Sequence, residues 1–180
     1  MIQPFQKKMI ASMPKAENHI HIEGSIPLYL ALELAEKNHV KLPCDTAQGL
    51  RQWIKDTKGT YGLNGFMYCN RKINSVCIHE EDYEAVVMEL AKQAKVQNII
   101  YQELFLDYPL NEERGIPIEV VMDGYITAKK RAIDELGVEL VYIAGLDRTL
   151  PSEQCVNFVK KLEKYLDYVD GLGMDCEEKG

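Results

Sequence analysis

The sequence predicts an α/β fold built on parallel strands, and three observations support that class. Extended apolar segments alternate with segments of helical periodicity, a pattern that gives parallel strands joined by right-handed crossovers. The first strand carries His19 and His21 near its end and leads directly into a helix, as strands do at the mouth of a parallel α/β barrel. The 180 residues suit one domain with a core. A complete eight-stranded barrel is typically longer, at about 250 residues.

Composition and charge restrict the function classes. Hydrophobic residues make up 46% of the chain and charged residues 27%, as in soluble globular proteins. The net charge of -7 argues against nucleic acid as the main partner. No apolar run is long enough to cross a membrane or to act as a secretion signal. Five cysteines without a C-x-x-C pair fit free thiols in a reducing compartment. We therefore expect a cytoplasmic protein with a small-molecule substrate, and no nucleic-acid or membrane partner.

The first strand follows an N-terminal arm, residues 1–16, and contains the residues most indicative of chemistry. His19, His21 and Glu23 are spaced at i, i+2, and alternate residues of a strand share a face. Two neutral imidazoles about 6 to 7 Å apart along a strand can bind one divalent metal ion. The alternative is a pair of histidines on a half-exposed strand without a ligand. The spacing alone does not identify an enzyme.

The segment 40–78 is the least regular part of the chain, because Gly59, Gly62 and Gly65 interrupt its helical pattern. We expect an excursion that crosses the mouth of the barrel, since it comes soon after the ligand-bearing strand. Leu63 and Phe66 would then form an apolar lid over the site. An equally plain interpretation is a separate apolar cluster beneath a long loop.

The remaining chain alternates regularly between helices and strands. Three further strands are expected at 98–106, 138–144 and 168–174, and helices are expected to begin at His79, Pro117 and Pro151. The last of these helices is predicted to bury a row formed by Val156, Val159, Leu162 and Leu166. The chain thus contains about the first four β/α units of a barrel. The first and fourth strands would be open edges.

Four segments in the same order resemble the adenosine/adenine deaminase family, which are zinc-dependent purine aminohydrolases on a TIM (β/α)8 barrel. The segments span nearly the whole chain and correspond to roughly the N-terminal half of the family's length. They are Pro14-Lys-Ala-Glu-Asn-His-Ile-His-Ile-Glu-Gly-Ser25, Tyr101-Gln-Glu-Leu-Phe-Leu-Asp107, Arg148-Thr-Leu-Pro-Ser152 and Gly171-Leu-Gly-Met-Asp-Cys-Glu-Glu178.

Details of these segments resemble the adenine deaminase branch more than the adenosine-specific one. Glu23 stands where adenosine-specific members usually have Asp, and Phe105 stands where they have Arg, with Asp107 following. Asn18 and Cys176 depart from the family pattern, which generally has an apolar residue at the first position and Ser or Gly at the second. We expect adenine rather than adenosine as the substrate.

The resemblance implies roles for individual residues. His19 and His21 would be zinc ligands, and zinc would activate a water for attack on C6 of the purine, with loss of ammonia. Glu23 would meet the polar edge of the substrate, or alternatively accept a hydrogen bond that orients one of the histidines. Asp175 and Cys176 would border the purine, unless they belong to an ordinary acidic loop.

The resemblance also indicates what lies beyond the fourth strand in the family. These residues are a third histidine ligand, a proton-shuttling glutamate, a further histidine and a metal-binding aspartate. Glu178 would be structural or would support a residue that contacts the metal or the substrate. We therefore expect no catalytic residue here and an inactive isolated chain. It would self-associate or pair with a C-terminal half. The alternatives are another H-x-H amidohydrolase, acting on an amide, ester or phosphoester, and a non-catalytic chain that pairs with a partner half.

Overall fold

A computed structural model describes residues 2–177 and contains a four-stranded parallel sheet. Strands adjacent in the chain are also adjacent in the sheet, so each crossover returns the chain to the neighbouring position. The strands, in sheet order, are β1 (Lys15–His21), β2 (Ile99–Leu106), β3 (Glu139–Asp147) and β4 (Gly171–Asp175). This architecture is the first half of a TIM barrel and confirms the predicted fold class. Glu178 lies outside the described residues.

Helices connect the strands, and most of them pack on one face of the sheet. They are α1 (Pro4–Ser12), α2 (Leu28–Lys37), α3 (Ala47–Asn74), α4 (Glu80–Val96), α5 (Tyr108–Glu112), α6 (Ile118–Arg131) and α7 (Ser152–Leu162). A π-helical turn follows α6 at Ala132–Leu136, and Gly137 ends it with the left-handed φ of 66° that glycine readily adopts. Within residues 2–177 no helix is long and apolar enough to cross a membrane.

The core lies between the sheet and the helices. Alternate residues of β2 and β3 point toward the helices and are buried, as period-two alternation requires. The apolar row of α4 meets them, and its six residues are all buried. The row consists of Tyr83, Val86, Val87, Leu90, Ala91 and Ala94.

A bulge in β1 determines how the histidines are presented. Glu17 pairs with Gln102 and Ile20 pairs with Leu104, so β1 has one more residue than β2 over this interval. His19 lies in the bulge with a φ of 62°, a left-handed conformation that is uncommon for residues other than glycine. The extra residue places Glu17 on the helix side, where its Oε2 accepts a hydrogen bond of 2.7 Å from Gln102. His19 and His21 remain on the opposite side.

Two predictions about individual elements are wrong. Residues 47–74 form α3 rather than an irregular excursion, and only Gly62 has a non-helical backbone, with φ 56° and ψ -130°. Glycine lowers helix propensity without excluding a helix, and packing of Leu50, Cys69 and Ile73 outweighs that cost.

The second error concerns the buried row of α7. Val156 and Leu166 are more than half exposed, whereas Phe158, Leu162 and Tyr165 are buried. Phe158 and Tyr165 thus join Leu162 in the buried row in place of Val156 and Leu166, and Phe158 stacks on Tyr108 of α5.

Candidate active site

A cavity of about 320 Å³ opens at the carboxyl ends of the four strands. This is the end of a parallel barrel at which active sites are built. Side chains from all four strands and their following loops line it, and α3 closes one side. The polar lining residues are His19, His21, Asn70, Asp107, Asp147, Arg148, Asp175 and Cys176.

His21 is held by a carboxylate from the neighbouring strand. Its Nδ1 lies 2.7 Å from Oδ2 of Asp107 and 3.8 Å from Oδ2 of Asp175. An ionised carboxylate only accepts hydrogen bonds, so Nδ1 carries the proton and Nε2 keeps a free lone pair. The bond to Asp107 raises the pKa of His21 above its ordinary value, against the opposing effect of burial.

His19 is held by ring contacts rather than by a carboxylate. Its ring stacks on Phe105 with centroids 4.5 Å apart and an angle of 12° between the planes. The centroids of His19 and His21 are 5.2 Å apart. The two imidazoles line the same cavity and are of the ligand type that zinc takes in proteins.

Asp175 and Cys176 are at the end of β4 and line the same cavity. Burial and the nearby charge of Asp107 raise the pKa of Asp175, and burial beside Asp175 raises the pKa of the Cys176 thiol to about 12. The thiol is therefore neutral near pH 7. Arg148 fixes this segment, because its Nε donates to the Asp175 carbonyl over 2.8 Å and its guanidinium also reaches the Met174 carbonyl.

Glu23 does not line the cavity with the two histidines, so the expectation that the three residues share one face is wrong. β1 ends at His21, and the turn that follows directs Glu23 into the interior, where it is 1% exposed. Its Oε1 accepts hydrogen bonds from the Tyr125 hydroxyl at 2.9 Å and from Asn111 at 3.4 Å. Burial, together with the charge of Asp107, raises the pKa of Glu23 to about 8, which keeps it protonated at neutral pH.

The buried carboxyl of Glu23 belongs to a polar network beneath the cavity. The side-chain oxygen of Asn111 accepts hydrogen bonds of 2.9 Å from both Tyr83 and Asn74. Arg114 donates to the same oxygen at 3.2 Å and also to the carbonyls that follow α3. This network joins the turn after β1 to α3, α4 and α5.

The predicted lid residues lie at the mouth of the cavity. Leu63 and Phe66 line it beside Met67, and all three follow the break in α3 at Gly62. Their position agrees with a cover over the site, and their role as a moving lid stays a prediction. The remaining histidines lie elsewhere: His39 is exposed after α2, and His79 precedes α4, where its side chain joins a capping box with Asp82.

Asp107 and Gly145 are the residues that sequence reasoning missed. Asp107 and Asp175 place two carboxylate oxygens within 4.8 Å of an imidazole nitrogen of His21, and these three residues could hold a divalent cation in place of the Nδ1 proton. Gly145 makes room for both carboxylates, since a Cβ there would lie 2.8 Å from Asp107 Oδ1 and 3.1 Å from Asp175 Oδ2. Asp107 directly follows a predicted strand adjacent to the histidine strand, and that position was the available indication.

Comparison with known proteins gives one family. The family model described as adenosine deaminase matches residues 14–180. An adenine deaminase from Zymomonas mobilis is 35% identical over 176 residues, which is 96% of this chain and 50% of the relative. One from Geotalea uraniireducens is 34% identical over 172 residues, which is 96% of this chain and 47% of the relative. The chain spans about half the length of the curated relatives it matches.

Solved structures agree on the architecture. The crystal structure of an adenine deaminase from Arthrobacter aurescens is 25% identical and superposes with a TM-score of 0.84, over 92% of this chain and 49% of that one. A zinc-bound amidohydrolase from Burkholderia ambifaria gives a TM-score of 0.82 at 19% identity, over 99% of this chain and 48% of that one. The second likeness concerns the fold alone.

Proposed function

Because this chain belongs to the adenosine deaminase family, we propose that it supplies the metal-anchoring half of an active site that hydrolytically deaminates a 6-aminopurine. The observation that carries the proposal is the meeting of His19, His21, Asp107 and Asp175 around one cavity at the strand ends. His19 and His21 would hold a zinc ion. When bound, zinc supplies Lewis-acid activation of a water molecule for attack on the carbon that bears the amino group.

The other residues of the cavity position and enclose the reactants. Asp107 keeps the proton on Nδ1 of His21, which leaves Nε2 available to the metal. Asp175 and the backbone of Cys176 border the purine, while Leu63 and Phe66 cover it and exclude water. Glu23 supports the turn after β1 from below, a structural role that replaces the substrate contact implied by the resemblance.

We propose adenine rather than adenosine as the preferred substrate. The two relatives described above are both adenine deaminases, which supports the free base. Phe105, whose ring stacks on His19, is also apolar where the resemblance places a charged group in adenosine-specific members.

We further propose that this chain alone does not turn over substrate. Deamination needs a group that protonates the purine ring, and no glutamate is found among the described residues that line the cavity. Two histidines also leave a tetrahedral zinc site short of protein ligands, since catalytic sites typically have three. His39 and His79 lie outside the cavity and cannot supply the third.

The test is ammonia release from adenine and adenosine, measured side by side with added zinc. We expect no turnover by the chain alone. Mixed with the second half of the Zymomonas mobilis relative, it should deaminate adenine faster than adenosine, and the His19→Ala chain in the same mixture should not. Faster turnover of adenosine would reverse the substrate assignment. Hydrolysis of amides, esters or phosphoesters without purine deamination would favour another H-x-H amidohydrolase.

The cysteines support a proposal for the cellular compartment of the protein. Cys44, Cys69, Cys77, Cys155 and Cys176 are all free thiols. Free thiols persist in a reducing compartment, and we propose the cytoplasm. Labelling all five thiols in freshly lysed cells with a thiol-specific reagent would support this assignment, and disulfide-linked species would contradict it.

A further inference from the structure

We propose that β2 and the residue that directly follows it position both metal ligands of β1: Phe105 of β2 holds the His19 ring by stacking, and Asp107 holds the His21 ring by a hydrogen bond. The inference rests on the proposed function only in taking His19 and His21 as the ligands. It assigns no role in the chemical step to Phe105 or Asp107. Phe105 and Asp107 are positioning residues that act on the site through the histidines.

The register of the sheet brings the two histidines close to Phe105 and Asp107. His21 pairs with Phe105 across the β1–β2 ladder, so Phe105 lies beside His21, and Asp107 follows two residues further along the chain. The Phe105 ring touches both histidines, nearly parallel to His19 and inclined by 35° to His21 at a centroid distance of 5.1 Å. The Asp107 carboxylate then reaches His21 from the cavity side over 2.7 Å.

His19 needs such support more than an ordinary strand residue does. Its φ of 62° places it in a left-handed conformation inside the β1 bulge, which costs free energy and gives the side chain an unusual direction. Within residues 2–177 its imidazole contacts the rings of His21 and Phe105 and makes no side-chain hydrogen bond. The face of Phe105 is therefore the main surface that fixes the orientation of the ring.

The position of the Phe105 ring depends on the space that Gly173 of β4 leaves beside it. A Cβ at Gly173 would lie 2.5 Å from Cε1 and 2.8 Å from Cζ of Phe105, so only glycine leaves room for this ring position. The ring is 9% exposed, which restricts its other rotamers. A line of contacts thus runs from Gly173 on β4 through Phe105 on β2 to His19 on β1.

Asp107 acts on His21 by selecting the tautomer of its imidazole. A carboxylate on Nδ1 fixes both the ring plane and the position of the proton, so Nε2 is presented as the donor atom. Loss of such a partner typically lowers metal affinity by about 10- to 100-fold. The other carboxylate oxygen of Asp107, Oδ1, lies close over Gly145, which limits the directions in which the carboxylate can turn.

The experiment measures zinc affinity of the chain by competition with a chromophoric chelator, together with the visible spectrum of bound Co²⁺. Phe105→Leu and Asp107→Asn should each weaken zinc binding by about 10-fold or more and change the Co²⁺ spectrum. Phe105→Tyr keeps the ring and should restore affinity to near that of the parent chain. Phe158→Leu is the matched control, because it also removes a buried aromatic ring, 3% exposed, but on α7 outside this cavity.

A second measurement reports on positioning without metal. Imidazole ¹H–¹⁵N correlation spectra should give His21 as the Nδ1–H tautomer in the parent chain and lose that preference in Asp107→Asn. Phe105→Leu should remove the ring-current shift of the His19 ring protons. Unchanged zinc affinity in folded Phe105→Leu and Asp107→Asn would overturn the inference and leave the proposed function standing. A parent chain that binds zinc no better than His19→Ala would overturn both.

Discussion

His19 is the residue on which the metal assignment depends most directly. Its imidazole is on the cavity wall beside that of His21, and removing it leaves one histidine in the cavity. We expect His19→Ala to abolish measurable zinc binding, since a single imidazole with carboxylates is a weak zinc site. His39→Ala is the matched control, because His39 is exposed and remote from the cavity. Equal zinc content in the two purified variants, measured by atomic emission, would contradict the assignment.

Gly145 tests the carboxylate pair without altering a ligand. In Gly145→Ala the new methyl group would lie 2.8 Å from Asp107 Oδ1 and 3.1 Å from Asp175 Oδ2, so both carboxylates must move. We expect zinc affinity to fall by about 10-fold as His21 loses its fixed partner. Gly171→Ala serves as the control, since its Cβ would meet only the flexible end of Ile143 at 3.2 Å. If both variants bind zinc as the parent does, the carboxylates do not support the site.

Individual residues also show how far the site can be predicted from the spacing of residues in the sequence. His19, His21, Asp175 and Cys176 were predicted and do line one cavity, because residues at the ends of parallel strands converge whatever the details of the sheet. Glu23 was misplaced because an i, i+2 rule assumes that the strand continues. The end of β1 at His21 depends on its pairing with β2, which a single strand's sequence does not reveal.

Helix α3 offers a matched pair of glycines at the element scale. Gly62 has φ 56° and ψ -130°, whereas Gly59 is in regular helix, and a Cβ at either position would meet nothing within 4 Å. Gly62→Ala should therefore destabilise the chain by about 1–2 kcal/mol through backbone strain alone. Gly59→Ala should stabilise it by about 0.5–1 kcal/mol through helix propensity. Urea unfolding of both variants measures the difference, and a stabilising Gly62→Ala would show that the break is not required.

Asp82 should determine how the start of α4 responds to acid. Its carboxylate is fully buried and accepts hydrogen bonds from the backbone of Ile78 and His79 at 3.0 and 2.9 Å, and from Lys37 and Asn38 at 2.7 Å each. Burial alone would raise the pKa of Asp82, but these donors, led by the His79 N–H, outweigh burial and lower it. The charged form is thus favoured in the folded state.

The sign of the pH dependence follows from that lowered pKa. The stabilisation is present above the unfolded pKa of Asp82, about 3.9, and is lost as pH falls through the lower folded value. Asp82→Asn should cost about 1–3 kcal/mol at pH 7 and reduce the loss of stability on acidification. Glu81→Gln, an exposed neighbour that also contacts Lys37, should change little. Unfolding curves at pH 7 and at a pH below about 3.9 distinguish the two, and equal effects would refute the role of the buried carboxylate.

At the same scale, most elements could be predicted and the reasons for the exceptions are physical. The sequences of β2, β3 and α4 have strong periodicity and contain residues that mark where each element begins and ends. The sequence therefore predicts the bounds of these elements to within a few residues. α3 was missed because three glycines suggest interruption, yet only Gly62 departs from helical geometry. The row on α7 was misjudged because helical periodicity alone does not say which of two adjacent rows faces the sheet.

The whole molecule has the strand order and connectivity of a barrel, but the sheet formed by its described residues does not close. Within residues 2–177, β1 and β4 each have one neighbour, which leaves a row of unpaired backbone groups at each edge. Both edge strands line the cavity, β1 through His19 and His21 and β4 through Met174 and Asp175. Metal binding and association of the chain should therefore be linked, because a partner that completes the sheet also encloses the cavity.

We propose that the unpaired β4 edge drives association with a partner half or with a second copy of this chain. Leu172 and Met174 on β4 are 57% and 62% exposed, and large apolar side chains on an edge strand favour intermolecular pairing.

Sedimentation velocity should give a weight-average mass that increases with concentration. Leu172→Lys combined with Met174→Lys should shift the chain to monomer, because charges on an edge strand oppose pairing. Val96→Lys, which replaces an isolated apolar residue on α4 that is 88% exposed, should leave association unchanged. A parent chain that sediments as a monomer at all concentrations would exclude self-pairing and leave a separate C-terminal half as the only partner to test.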